Sequence, residues 1–174
     1  MLIRKALLQD AQAITKVHVD SWRTSYASIL SSEFLASLSY ENRQKMWNGI
    51  LSEPSGQSFV YVAETPERQV VGFASAGPVR AGVDDYSGEV YALYLLQSFH
   101  RQGIGRQLFK AAAAELRQRG LDSLLVWVLA GNPARAFYEA MGGKYLCEKN
   151  VEIGGQPLVE VAYGWQNMSI LIES

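Results

Sequence analysis

The sequence predicts an α/β fold in which one parallel βαβ crossover is set among antiparallel hairpins, and three observations predict it. The apolar run 89–96 leads through His100-Arg101-Gln102-Gly103-Ile104-Gly105-Arg106 into a helix, with Ile104, Leu108, Ala112 and Leu116 at helical spacing and Gly120 placed to stop it. A second apolar run, 123–129, follows that helix, so the two strands are expected to be parallel. Two further strand pairs bracket turn sequences. Residues 59–64 and 70–78 flank Thr65-Pro66-Glu67-Arg68, and residues 144–153 and 157–165 flank Gly154-Gly155.

The remaining elements follow in order. Residues 2–6 read as a first strand, which brings the total to about seven. Asp10 is placed to cap a helix that carries Ala13, Ile14 and Val17 and reaches Trp22 or beyond, and further helical segments fill residues 32–51. Pro54-Ser55-Gly56 punctuates the chain before the first hairpin. After residue 129, Asn132-Pro133 reads as an Asn cap followed by proline at the first helical position. The short helix it opens runs to Met141 and is halted by Gly142-Gly143. Its apolar face, Ala134, Phe137, Tyr138 and Met141, is spaced to dock on a sheet.

The helix that begins at Gly103 is built for an anion. A helix start leaves backbone N–H groups unpartnered, and a Ser, Thr, Asp or Asn cap or an acidic first turn ordinarily complements them. Here Arg101, Arg106 and Lys110 take those places, the disfavoured sign at the positive end of a helix. A phosphate-bearing ligand resolves the conflict: two glycines admit it closely, and the free amides and helix dipole hold it. Spacing excludes two familiar sites. There is no GxxxxGK[ST], and Leu108 stands where GxGxxG needs its third glycine.

The order strand, helix opening on a Gly-x-Gly turn, strand, then Asn132-x-x-x-x-Phe137-Tyr138 and Gly142 resembles the GNAT superfamily of acetyl-CoA-dependent N-acetyltransferases over about residues 57–150. His100 departs from it, standing where the family motif has Gln or Arg, and is read as a surface loop residue. The resemblance implies a single N-acetyltransferase domain over 1–174, with a central mixed, largely antiparallel sheet and helices on both faces. It implies acetyl-CoA as cosubstrate. The main-chain amides of Arg101, Gln102, Gly103, Ile104, Gly105 and Arg106 would hold the diphosphate. Leu93, Tyr94 and Leu95 would pair with the pantetheine arm as an added strand would, the Leu95 N–H polarising the acetyl carbonyl. Asn132 would contact the pantetheine amides.

Amine acetylation also needs an acid for the departing thiolate and an acceptor for the amine's proton. Tyr138, by its place in the Asn132 pattern, is the candidate acid, since a phenol of ordinary pKa about 10 matches a thiol leaving group. The alternative is a core tyrosine with a bonded hydroxyl. Glu89 begins the strand leading into the cofactor site and is the candidate base, acting through a water and bordering the acceptor; the alternative is a solvated carboxylate at a strand end. Trp22 and Tyr26 lie four apart on one helix face, either as core or as an aromatic wall against which the acceptor packs. His18 and Trp47 belong to the same region. Asp84 and Asp85 could attract a cationic substrate, whereas Glu33 and Glu41 read as solvated helix charges.

Composition agrees with an enzyme of small substrates. A chain of 174 residues suits one domain, and a net charge of −1 gives no global field for nucleic acid, although the Arg101, Arg106 and Lys110 cluster remains a local basic patch. A single cysteine, Cys147, excludes an internal disulfide framework, and no metal site is expected. No apolar run approaches the ~20 residues a membrane span needs, so a cytoplasmic protein is expected. The expected acceptor is a primary amine of a small molecule or peptide, attacked directly without a covalent enzyme intermediate. Two alternatives remain: a non-catalytic acyl-CoA-binding sensor or interaction module, and an enzyme of protein N-termini or aminoacyl-RNA. A homodimer through the final strands and the tail 167–174 is left open.

Overall fold

The computed structural model describes every residue except Pro54, Ser55, Ala81, Gly82, Asp84, Glu173 and Ser174. Among the described residues, seven strands form one sheet: β1 (Leu2–Lys5), β2 (Phe59–Glu64), β3 (Val70–Pro78), β4 (Gly88–Leu95), β5 (Leu124–Leu129), β6 (Lys144–Ile153) and β7 (Gln156–Trp165). Their spatial order is β1-β2-β3-β4-β5-β7-β6, antiparallel throughout except for the parallel pair β4 and β5. The expected hairpins are present, with Phe59 opposite Ala76 and Ile153 opposite Gln156. At the second turn, Gly154 and Gly155 have φ of 59° and 76°, as a two-residue turn of the hairpin type requires.

Both faces of the sheet are covered, which is why the central strands read as unbroken apolar runs rather than as alternations. Helix α4 (Ile104–Gln118) connects β4 to β5 and lies on one face, burying Leu108, Phe109, Ala112, Ala113 and Leu116 completely against strand residues such as Val71, Ala74 and Leu124. On the other face, α1 (Ala11–Ser25) and α3 (Tyr40–Ser52) seal Ile14, Val17 and Trp47 against Val60, Val62 and Phe73. A third cluster, Tyr26, Leu30, Leu35 and Leu129, joins the end of α1 and α2 (Ser32–Ser37) to the β6/β7 hairpin. Two short helices complete the chain, α5 (Arg135–Ala140) and α6 (Ser169–Ile172). Among the described residues, no helix is long and apolar enough to cross a membrane.

The helical segments expected over 32–51 are α2 and α3, each opened by a serine: Ser31 Oγ accepts from Phe34 N and Ser39 Oγ from Asn42 N, both at 3.2 Å. Two local expectations are corrected. The helix expected to open at Pro133, α5, begins at Arg135. Asp10 does not cap α1. Its carboxylate accepts instead from Leu7 N at 2.7 Å and from Arg4 at 2.7 and 2.9 Å, because a buried carboxylate gains more from a bidentate guanidinium than from a neutral amide.

Candidate active site

The sheet opens between its two parallel strands. β4 pairs with β5 only as far as Val90 opposite Val126, although β4 continues to Leu95 and β5 to Leu129. On its other edge β4 stays bonded to β3 up to Gly72 opposite Leu95, with a register shift that makes Tyr91 an extra residue. A bulge increases local twist and bends its strand, and here it coincides with the point where β4 leaves β5. Leu96 N bonds to Val71 O, and antiparallel pairs alternate between bonded and non-bonded. Leu93 and Leu95 therefore turn their N–H and C=O groups away from β3, into the gap. His100, expected as a plain loop residue, is exposed but anchored: its Nε2 lies 2.8 Å from the Leu95 carbonyl.

Helix α4 starts beside this gap. Arg101 and Gly103 both have left-handed φ, 60° and 78°, and among the described residues the N–H groups of Gly103, Ile104 and Gly105 meet no protein acceptor. The first turn carries no acid. A Cβ on Gly105 would approach nothing nearer than Phe137 Cε2 at 4.0 Å, so neither packing nor backbone shape demands glycine there. A glycine in a helix costs up to about 1 kcal/mol relative to alanine. Open space beside free amides at a helix start fits an anion that comes close to the backbone.

Across the gap stands α5. Asn132 Oδ1 accepts from Ala134 N at 2.9 Å, capping the turn that leads into the helix. Tyr138 is 6% exposed, its ring packed among Phe109, Phe137, Tyr163 and Trp165 on the α4 face. Its phenol nevertheless interacts electrostatically with Tyr26 and Tyr94, which belong to the clusters of the opposite face. Burial, reinforced by the neighbouring Tyr26, pushes the Tyr138 phenol well above its ordinary value. Burial raises Tyr26 and Tyr94 as well, and their hydroxyls lie 3.2 Å apart.

The sequence profile of the acetyltransferase (GNAT) family matches residues 15–143, a span that contains the gap, the α4 start and Tyr138. The chain belongs to this family. It is 42% identical to the uncharacterized N-acetyltransferase YuaI of Bacillus subtilis over 97% of this chain and 95% of that one. Its fold matches a ribosomal-protein-alanine N-acetyltransferase of Brucella melitensis with a TM-score of 0.73 and 27% identity, over 95% of this chain and 99% of the other. It also matches the PaiA N-acetyltransferase of Thermoplasma acidophilum, solved with coenzyme A, with a TM-score of 0.68 and 21% identity over 92% and 96%.

In this GNAT acetyltransferase the remaining cleft residues lie on the α1 side of the sheet. Trp22 and Tyr26 share a helix face, as their spacing implies, with ring centroids 4.9 Å apart, and Tyr26 is buried in the third cluster. His18 packs beside Trp22. It stacks under Tyr94 at 5.2 Å, and its Nδ1 accepts from Trp47 Nε1 at 3.1 Å. Burial lowers its pKa to about 3, so the ring is neutral.

Glu89 sits at the fork where β4 and β5 part and is 2% exposed, not a solvated strand end. Its carboxylate is taken up by Arg80: Oε1 receives Nη2 at 2.6 Å and Nε at 3.2 Å, and Oε2 receives the Arg80 main-chain N–H at 3.0 Å.

Four cleft residues escaped sequence reasoning: Arg80, Tyr91, Trp127 and Glu160. Trp127 follows Leu125 on one strand face, and Glu160 lies opposite Leu129 on the same face. Glu160 acts electrostatically on both Arg80 and Tyr26, and Lys149 Nζ is 3.3 Å from its Oε2. The one available signal was a lone acid inside the apolar run 158–163. Asp84 lies outside the described residues. Among the described residues, no cluster of three or more His, Cys, Asp or Glu is placed to hold a metal.

Proposed function

We propose that this acetyltransferase moves the acetyl group of acetyl-CoA directly to a primary amine of a small molecule or peptide within a ternary complex. The observation that carries the reading is the opening between β4 and β5, bordered by unpartnered amides at Gly103, Ile104 and Gly105 on one side and by the Tyr138 phenol on the other. The amides from Arg101 to Arg106 receive the diphosphate, and the gap-facing groups of Leu93 and Leu95 bond to the pantetheine arm, with Tyr94 between them and Asn132 opposite. Acetyl-CoA supplies an activated thioester.

The chain's own groups do the rest. The Leu95 N–H donates to the carbonyl oxygen as negative charge gathers there, a contribution that strengthens toward the transition state. Trp22 and Tyr26 pack the acceptor so that its nitrogen faces the thioester. As the amine attacks, the carbon–sulfur bond breaks and Tyr138 gives its proton to the departing thiolate. Glu160 takes one proton from the bound ammonium before attack and passes it to solvent, and the second, released from nitrogen as the amide forms, returns the phenol to its starting state. Glu89 retains a role in binding, through Arg80, instead of the base role expected from its sequence position.

The test is thiol release from acetyl-CoA against polyamines, aminoglycosides, amino acids and peptides. Acceptor-dependent release supports the reading. Binding of acetyl-CoA without release for any amine would turn it toward a sensor.

A further inference from the structure

Both acids that border the acceptor cleft are already matched by cations. Glu89 holds Arg80, and Glu160 faces Lys149 at 3.3 Å, whose ammonium rests 3.9 Å over the Trp127 ring. One amine can share Glu160 with Lys149, but the second cationic centre of a polyamine would have to displace the Arg80 guanidinium from Glu89 and would leave the charge of Arg80 unmatched.

Arg80 is positioned as a receptor for an anion. Two of its nitrogens, Nε and Nη2, are committed to Glu89, and its guanidinium lies flat against Tyr91, 4.4 Å from the ring centroid. Tyr91 is itself fixed by its hydroxyl, which donates to Pro78 O at 2.5 Å. The side chain is still 63% exposed, and among the described residues Nη1 makes no hydrogen bond. A guanidinium held on two sides and open on the third has already lost the rotamer freedom that binding would cost, and its planar fork suits a carboxylate.

We propose that the acceptor is a dipolar amine, one that carries its own carboxylate or an equivalent oxyanion. The oxyanion binds the open edge of Arg80, while the amine lies toward Glu160 and Tyr26, beneath the thioester. This assignment rests on the acetyl-transfer reading above and narrows its substrate class. The Glu89–Arg80 pair then continues as an alternating series: Glu89, Arg80, substrate carboxylate, substrate amine, Glu160.

The experiment compares thiol release from acetyl-CoA for three matched series of increasing chain length: amino acids, their primary amides, and diamines. A carboxylate on a fixed guanidinium predicts kcat/KM about ten- to hundred-fold higher for the best amino acid than for its amide. In Arg80→Gln that ratio falls to about one, mainly through KM for the amino acid. Because Arg80→Gln strands the buried Glu89 charge, the double variant Arg80→Gln with Glu89→Gln is measured beside it. It is expected to lose the same preference, and Arg80→Lys to keep part of it. Amides or diamines that match the amino acids in wild type overturn the proposal, and so does a preference that survives the double variant. Acetyl-CoA that binds by calorimetry while no series releases thiol overturns the acceptor class and leaves the cofactor reading standing. Absence of acetyl-CoA binding removes the underlying reading itself.

Discussion

Replacing Tyr138 with phenylalanine separates chemistry from structure, because the ring and the hydroxyl have different work. The ring lies 5.2 to 6.5 Å from the centroids of Phe137, Phe109, Tyr163 and Trp165 and is 6% exposed. Phenylalanine keeps all of those contacts, and deleting one hydroxyl changes stability by about 1 kcal/mol. A general acid contributes about 10²- to 10⁴-fold to its step, or about 3 to 5 kcal/mol of barrier. Tyr138→Phe should therefore lower kcat by at least about 10² in the thiol-release assay. Affinity for coenzyme A, read by calorimetry, should stay within a few-fold. The pH profile adds a second reading. An acid must be protonated to act, and burial raises this phenol above its ordinary value. The wild-type rate should accordingly show no alkaline fall from this group up to about pH 10, the ordinary phenol value. A variant with wild-type kcat would refute the assignment, whatever its stability.

Three further outcomes follow from named contacts. His18 has its pKa lowered from 6.5 to about 3. The unfolded chain thus binds this proton first as pH falls, and stability is lost from about pH 6.5 downward by up to about 1.4 kcal/mol per unit; in urea unfolding at pH 7 and 5.5, His18→Asn should be less stable at pH 7 but show a shallower pH dependence than wild type. Arg4 bonds both Asp10 and Glu64, which are 6% and 4% exposed, so Arg4→Met should cost about 3 to 5 kcal/mol of unfolding free energy while kcat is unchanged. Glu160→Gln should lower kcat/KM by about 10²-fold; an unaltered kcat/KM would remove Glu160 as the proton acceptor.

What could be read from the sequence was what depends on near neighbours. The hairpin turns, the crossover and the α4 start each rest on local spacing, so Gly154-Gly155 and Gly103-Ile104-Gly105 announced themselves. Asn132 was legible in part: its Oδ1 bonds Ala134 N as an Asn-Pro turn does, but α5 itself begins only at Arg135. The acceptor side was not, because it is assembled by pairings between distant residues. Tyr26 meets Tyr94 across 68 positions, and Glu160 is brought to the cleft by the β5/β7 register. Arg80 sits in a connection without periodicity, and nothing local tells that it will engage Glu89. That single pairing is what changed the reading of Glu89, since a carboxylate's chemistry is set by its partner more than by its place on a strand. Asp10 failed for the same reason: its sequence position suits a cap, but Arg4 on β1 reaches it first.

The account depends most on the amides at the start of α4 holding a diphosphate. Gly105→Gln tests this directly, because a Cβ at this position would have Phe137 as its nearest neighbour, at 4.0 Å, and glutamine is a better helix former than glycine. Calorimetric titration with coenzyme A, run beside thermal unfolding of the free protein, should show affinity reduced at least about ten-fold with an unfolding midpoint held or raised. Equal affinity in the variant, or no binding heat from the wild-type protein, would contradict it.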